Sequence, residues 1–134
     1  MIIQEYSSYN EKELLALYDS VGWINYTRRP DMLKNAYAHS LLILGAYNEN
    51  QLVGVIRCVG DGHSIVFIQD LLVHPDYQRQ GIGKALLNAV LTRYENTYQI
   101  QLLTDDRPET AAFYQALGFS RADAIGCAAF VKMR

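Results

Sequence analysis

Two glycines flank one isoleucine in the stretch Gln78-Arg79-Gln80-Gly81-Ile82-Gly83-Lys84-Ala85. It lies where an extended apolar run, SIVFIQDLLVHPD, gives way to a helical one, KALLNAVLTRY. Glycines let a ligand approach the backbone closely and let successive N–H groups turn toward one anion. A helix start adds unpaired N–H groups and the positive end of a dipole. The chemistry on offer is a phosphate cradle, and the competing reading is a tight turn between a strand and a helix. A phosphate-binding loop of the GxxxxGK[ST] type is absent. The dinucleotide pattern GxGxxG fails at its third glycine, and HPDYQRQ makes the turn too long for it.

A second chemical pattern lies about thirty residues on. AAFYQALGF carries a tyrosine, Tyr114, on a helical stretch that ends at Gly118-Phe119. Upstream, Asp70 is a lone carboxylate in the apolar strand pattern IVFIQDLLV, where it costs desolvation unless used or paired. It reads either as a working carboxylate or as a buried structural aspartate capping neighbouring amides. Asp105 and Asp106, at the end of the next strand pattern, are further carboxylates. Trp23 and Tyr26, in GWINYTRRP, offer aromatic faces that attract an ammonium ion or simply fill a core.

These residues need a scaffold, and the periodicities supply one. IIQEY reads as a strand. EKELLALYDSVG is a helix, with Leu14, Leu15, Leu17, Tyr18 and Val21 at helical spacing and Gly22 ending it. DMLKNAYAHS is a second helix with Asp31 as its cap. LLILGAYNENQLVGVIRCVGDG is a hairpin turning at NEN, and HSIVFIQDLLV is a strand covered on both faces. From Ile82 the stripe Ile82, Ala85, Leu86, Ala89 and Val90 marks a helix. YQIQLLT is a strand, RPETAAFYQALG a helix with Pro108 in its first turn, and AAFVKM a final strand. The fold class is α/β: antiparallel strands first, then a parallel strand–helix–strand crossover in a mixed sheet.

Length and composition agree with one domain over residues 1–134. Half of the residues are apolar and the formal net charge is −2, which gives no basic excess for a nucleic-acid or anionic-membrane partner. No apolar run approaches a membrane span and no signal peptide is visible, so a cytoplasmic protein, monomer or homodimer, is expected. The two cysteines, Cys58 and Cys127, lack metal-ligand spacing, as do the three histidines. Both thiols are expected in or near the core, and no metal is expected.

The stretch VHPDYQRQGIGKALL resembles the (Q/R)xxGx(G/A) signature of the GNAT superfamily of N-acetyltransferases. AAFYQALGF resembles the second hallmark of those enzymes, and the order of elements matches their fold from end to end. The resemblance implies acetyl-CoA as co-substrate, with its pyrophosphate on the backbone of Arg79, Gln80, Gly81, Ile82, Gly83, Lys84 and Ala85 behind Gln78. It implies a bulged, splayed strand whose Leu71, Leu72 and Val73 hold the pantetheine arm and the thioester carbonyl. It makes Tyr114 the general acid for the leaving thiolate, rather than a residue that only packs its helix, and Asp70 the first candidate base. Trp23 and Tyr26 would wall the acceptor pocket and suit an aryl- or alkylamine. Many relatives carry asparagine before the tyrosine helix, whereas this chain has TDDRPET, so those contacts do not transfer. The expected activity is direct transfer of an acetyl group to a primary amine of a small molecule or peptide. The alternative is an acyl-CoA-binding sensor with little catalysis.

Overall fold

The alternating and helical periods resolve into elements in the computed structural model, which describes residues 1–134. The chain divides into two compact units, residues 1–102 and 103–134.

In the first unit β1 (Ile2–Glu5) leads to α1 (Glu11–Ser20), a short α2 (Ile24–Thr27) and α3 (Pro30–Ala38). Then come β2 (Leu42–Asn48), β3 (Gln51–Gly60), β4 (Ile65–Val73), a 3-10 turn (Pro75–Tyr77), α4 (Ile82–Arg93) and β5 (Gln99–Leu102). The strands lie in sequence order in one five-stranded sheet. The pairs β1–β2, β2–β3 and β3–β4 are antiparallel, and β4–β5 is parallel with α4 as the crossover. The hairpin turns tightly, with Glu49 and Asn50 both at positive φ and Asn48 paired to Gln51. α1 stops where Gly22 takes a φ of +78°, a conformation that favours glycine.

Two departures from the periodic reading are local. The loop GWINYTRRP contains a helical turn, α2. α3 begins at Pro30, one residue earlier than read, and Asp31 lies in its first turn without capping it by a side-chain hydrogen bond. Proline at the first helical position is pre-set in φ and has no N–H to satisfy, so the start moves to it.

The sheet is covered on both faces. On one face Leu14, Leu17 and Tyr18 of α1 and Leu33 and Tyr37 of α3 pack with Leu52, Val55 and Leu72. On the other, α4 buries Ile82, Leu86, Leu87 and Val90. Leu87 thus joins the buried stripe, while Ala85 is exposed. A Cβ on Gly54 of β3 would stand 3.3 Å from both Ile82 and Leu86, so this glycine lets the start of α4 press onto the sheet. Cys58 is fully buried, as expected of a core thiol.

The second unit holds α5 (Pro108–Ala116) and a 3-10 turn (Asp123–Ile125). The expected strand AAFVKM is absent: the segment takes no regular secondary structure, and Phe130, Val131 and Met133 are exposed. Alternating apolar residues make a segment competent for a strand, but only a neighbouring strand holds it in one. Cys127, expected near the core, lies in this segment and is exposed.

Candidate active site

Six successive backbone N–H groups, from Arg79 to Lys84, have no hydrogen-bond acceptor within the chain. The first bond of α4 runs from the N–H of Ala85 to the carbonyl of Gly81. Gly81 is the N-cap, in the left-handed region at φ +82°, and Arg79 has a φ of +63°. A Cβ at Gly81 would meet nothing within 4 Å, so the cap faces open space. Gly83 is helical, the second residue of α4. The Arg79 and Lys84 side chains are exposed. Gln78 serves the loop itself, donating from Nε2 to the carbonyl of Val73 at 2.9 Å and tying the cradle to the end of β4.

β4 carries the second feature. Arg57 pairs with Asp70 and Cys58 with Ile68, so Gln69 is an extra residue, a β-bulge. On the opposite edge, β4 pairs with β5 only from Ile65 to Ile68. From Gln69 through Leu71, Leu72 and Val73 that edge has no strand partner. The bulge and the end of parallel pairing coincide, and an open stretch of backbone runs from there toward the Gln78 loop.

Behind the bulge lies a polar cluster in an otherwise apolar core. Asp70 and Arg57 are 2% and 5% exposed. The Arg57 Nε donates to Asp70 Oδ2 at 2.7 Å. Tyr18 donates to the same oxygen at 2.8 Å, and Tyr26 donates to Oδ1 at 2.9 Å. Tyr18 has one proton, given to the carboxylate, so Tyr37 must be the donor in the 2.8 Å contact between their hydroxyls. The remaining Arg57 donors reach Ser40 Oγ at 3.3 Å and the Tyr26 hydroxyl at 3.4 Å. The guanidinium carbon also stands 5.7 Å from the Tyr37 ring centroid.

The electrostatics follow from this packing. Burial, with the neighbouring Tyr37 and Asp70, pushes the Tyr18 phenol far above its ordinary range; burial and Asp70 raise Tyr26. Burial opposes the charge on Arg57, but the Asp70 carboxylate more than offsets it and holds the guanidinium protonated. Asp70 is therefore no free carboxylate, since both its oxygens are committed. Of the two readings open from sequence, the geometry is that of the paired, buried aspartate, with partners that are side chains rather than amides. Arg57 is the residue that sequence reading passed over. Its signal was present: one cation in the apolar strand VIRCVG, opposite in charge to the one anion of the next strand.

Trp23 and Tyr26 are half-buried beside this cluster. Their ring centroids are 6.4 Å apart, and Tyr18 packs edge-on to both. The Tyr26 hydroxyl spends its proton on Asp70 and also lies 3.4 Å from Gln69 Nε2, which links the aromatic pair to the bulge.

In the second unit Tyr114 is half-buried on α5. Its ring packs edge-to-face with Phe113 at 5.0 Å and Phe119 at 5.7 Å. Burial, then the charge of Asp105, raises its pKa, so the phenol keeps its proton at neutral pH. Asp105 pairs with Arg107 at 2.8 Å and Asp106 with Arg121 at 2.8 Å, so both carboxylates have cationic partners.

Residues 39–121 match the model of the GNAT acetyltransferase domain. An uncharacterized N-acetyltransferase, ycf52, from Gracilaria tenuistipitata var. liui is 35% identical over 129 residues, covering 88% of this chain and 68% of that one. The chain covers 64% of the Porphyra purpurea ycf52 protein, to which it is 32% identical, so these curated relatives are longer. A GNAT-family acetyltransferase of Streptococcus pneumoniae TIGR4 superposes with a TM-score of 0.89 at 38% identity, covering 99% of this chain and 97% of that one. An N-acetyltransferase of Thermoplasma acidophilum, solved in complex with coenzyme A, shares the fold at a TM-score of 0.71 and 20% identity, with 89% of each chain covered.

Proposed function

The chain belongs to the GNAT family of acetyltransferases, and from that premise we propose that it transfers an acetyl group from acetyl-CoA directly to a primary amine. The carrying observation is the run of six unpartnered amides from Arg79 to Lys84 at the start of the twelve-residue helix α4. Such a run fits a pyrophosphate, which is anionic and accepts from several donors at once. The unpaired backbone from Leu71 to Val73 fits the amide-bearing pantetheine arm, and an N–H there would meet the charge developing on the thioester oxygen.

The amine nitrogen attacks the thioester carbonyl, a C–N bond forms, and the C–S bond breaks. By the family pattern the leaving sulfur takes a proton from the Tyr114 phenol, the nitrogen gives one up to water, and the phenolate regains one from water. Asp70 is assigned a positioning role, because its lone pairs already serve Arg57, Tyr18 and Tyr26. Trp23 and Tyr26 present a half-buried aromatic surface that suits a small aryl- or alkylamine.

The test mixes the protein and acetyl-CoA with arylalkylamines, polyamines, amino acids and peptide N-termini, and follows release of free thiol. Amine-dependent release is the expected outcome. Stabilisation against heat by acetyl-CoA without thiol release would make the protein a sensor. Stabilisation by ATP or NAD but not coenzyme A would assign the cradle to another nucleotide.

A further inference from the structure

A flat, unbulged pairing of β3 with β4 is the competitor that this sheet must exclude. Continuing the observed Cys58–Ile68 pairing without the extra residue would set Arg57 against Gln69 and Ile56 against Asp70. Side chains alternate across a strand, so a one-residue shift moves every following side chain to the other face. Asp70 would then leave the face of Val55 and Leu72. It would turn toward α4, among Ile56, Ile68 and Leu86, away from Arg57, Tyr18 and Tyr26. Arg57 would remain on the α1–α3 face with Tyr37 and Ser40, without its carboxylate. Leu72 would be withdrawn from the cluster it shares with Leu14 and Val55.

We propose that the buried Arg57–Asp70 pair is a register lock, which holds the bulge at Gln69 and so sets the backbone of Leu71–Val73 in place for acetyl-CoA. The pair is a poor source of stability by itself, because desolvating two charges offsets most of their attraction. Its value lies in discrimination: one register joins two opposite charges, and the other buries each alone on opposite faces. Two tyrosines complete the choice, since Tyr18 and Tyr26 find their acceptor in the bulged register only. Arg57 and Asp70 thereby act as positioning residues. The lock is read from the sheet alone; its consequence for acetyl-CoA rests on the function proposed above.

The test replaces both charges with apolar side chains of similar volume, Arg57→Met with Asp70→Leu, a change that buried pairs often tolerate in stability. Backbone NOEs report the register: residue 57 against 70 when bulged, 57 against 69 when flat. Calorimetry with acetyl-CoA reports the consequence. The double variant is expected to lose the 57–70 contact and to bind acetyl-CoA about tenfold or more weakly, the value of one or two backbone hydrogen bonds. Arg57→Lys is expected to keep both register and affinity, because Arg57 reaches the carboxylate through a single donor. Retention of the 57–70 contact in the double variant, or an Arg57→Lys protein as impaired as the double variant, overturns the lock. Loss of the contact with unchanged affinity overturns the link to Leu71–Val73. If the double variant does not fold, Arg57→Lys and Asp70→Asn decide, with the first keeping and the second losing the 57–70 contact. Equal behaviour of those two overturns the lock. A wild-type protein that ignores acetyl-CoA defeats the proposed function, while the NOEs still judge the lock.

Discussion

Tyr114 and Asp70 are both half of a proton-transfer pair in the family pattern, yet their surroundings give them opposite chemistry. The Tyr114 phenol is half-buried between two phenylalanine rings, and its raised pKa keeps it a donor at neutral pH. Asp70 is an acceptor that already serves three donors, two on Oδ2 and one on Oδ1. Removing the phenol should therefore be costly and specific. Tyr114→Phe keeps the ring contacts and is expected to lower turnover by about a hundredfold or more, within the range of general acids. Its affinity for acetyl-CoA, measured by calorimetry, should be little changed. Unchanged turnover would remove Tyr114 from the acid's role. The helix that carries Tyr114 was legible in sequence because its motif is local. The condition of Asp70 was not, since its partner Arg57 lies thirteen residues away on another strand.

At the scale of elements, the start of α4 is where glycine chemistry is decided. Gly81 and Gly22 are a natural experiment within one chain. Both have a strongly positive φ, +82° and +78°, and a Cβ on either meets nothing within 4 Å. Alanine at either site thus meets only the backbone penalty of the left-handed conformation, about 1–2 kcal/mol. Gly81→Ala and Gly22→Ala are expected to lose similar stability in denaturant titrations. Only Gly81→Ala should also weaken acetyl-CoA binding, by about fivefold to tenfold, a cost near 1 kcal/mol. Equal affinities in the two variants would return the loop to a plain strand-to-helix turn. The glycine pair and the helix after it were readable from residue order. The bulge at Gln69 was not, because an extra residue shows only against the strand it pairs with.

For the molecule as a whole, the buried hydroxyl and thiol groups set a pH limit. Tyr18, Tyr37, Tyr6 and Tyr26 have raised pKa values, for each of which burial is the largest cause. Cys58 is pushed by burial from 9.0 up to about 12. In the unfolded chain tyrosines ionise near their ordinary value of about 10. A raised folded pKa means that the folded state holds its protons more tightly. This contribution is fully present below the unfolded values and is lost as pH rises through the folded ones. Stability to denaturant is expected to begin falling between about pH 9 and 10, with no matching loss from these groups at pH 7. A stability that stays level from pH 8 to 11 would show that these groups are not buried in solution.

Helices α1, α3, α4 and α5, the succession of β1 to β5 along the chain and the glycine turn before α4 were legible in residue order, because each rests on a local period or a contiguous motif. The one misplaced element shows the limit of that reading: AAFVKM has the alternation of a strand, but alternation supplies no partner for the backbone. What the isolated charges do depends on contacts between strands. Arg57 and Asp70 each look like an anomaly within an apolar strand. Only the bulge at Gln69 brings them to one face, where opposite charges in a medium of low polarity must either meet or be excluded.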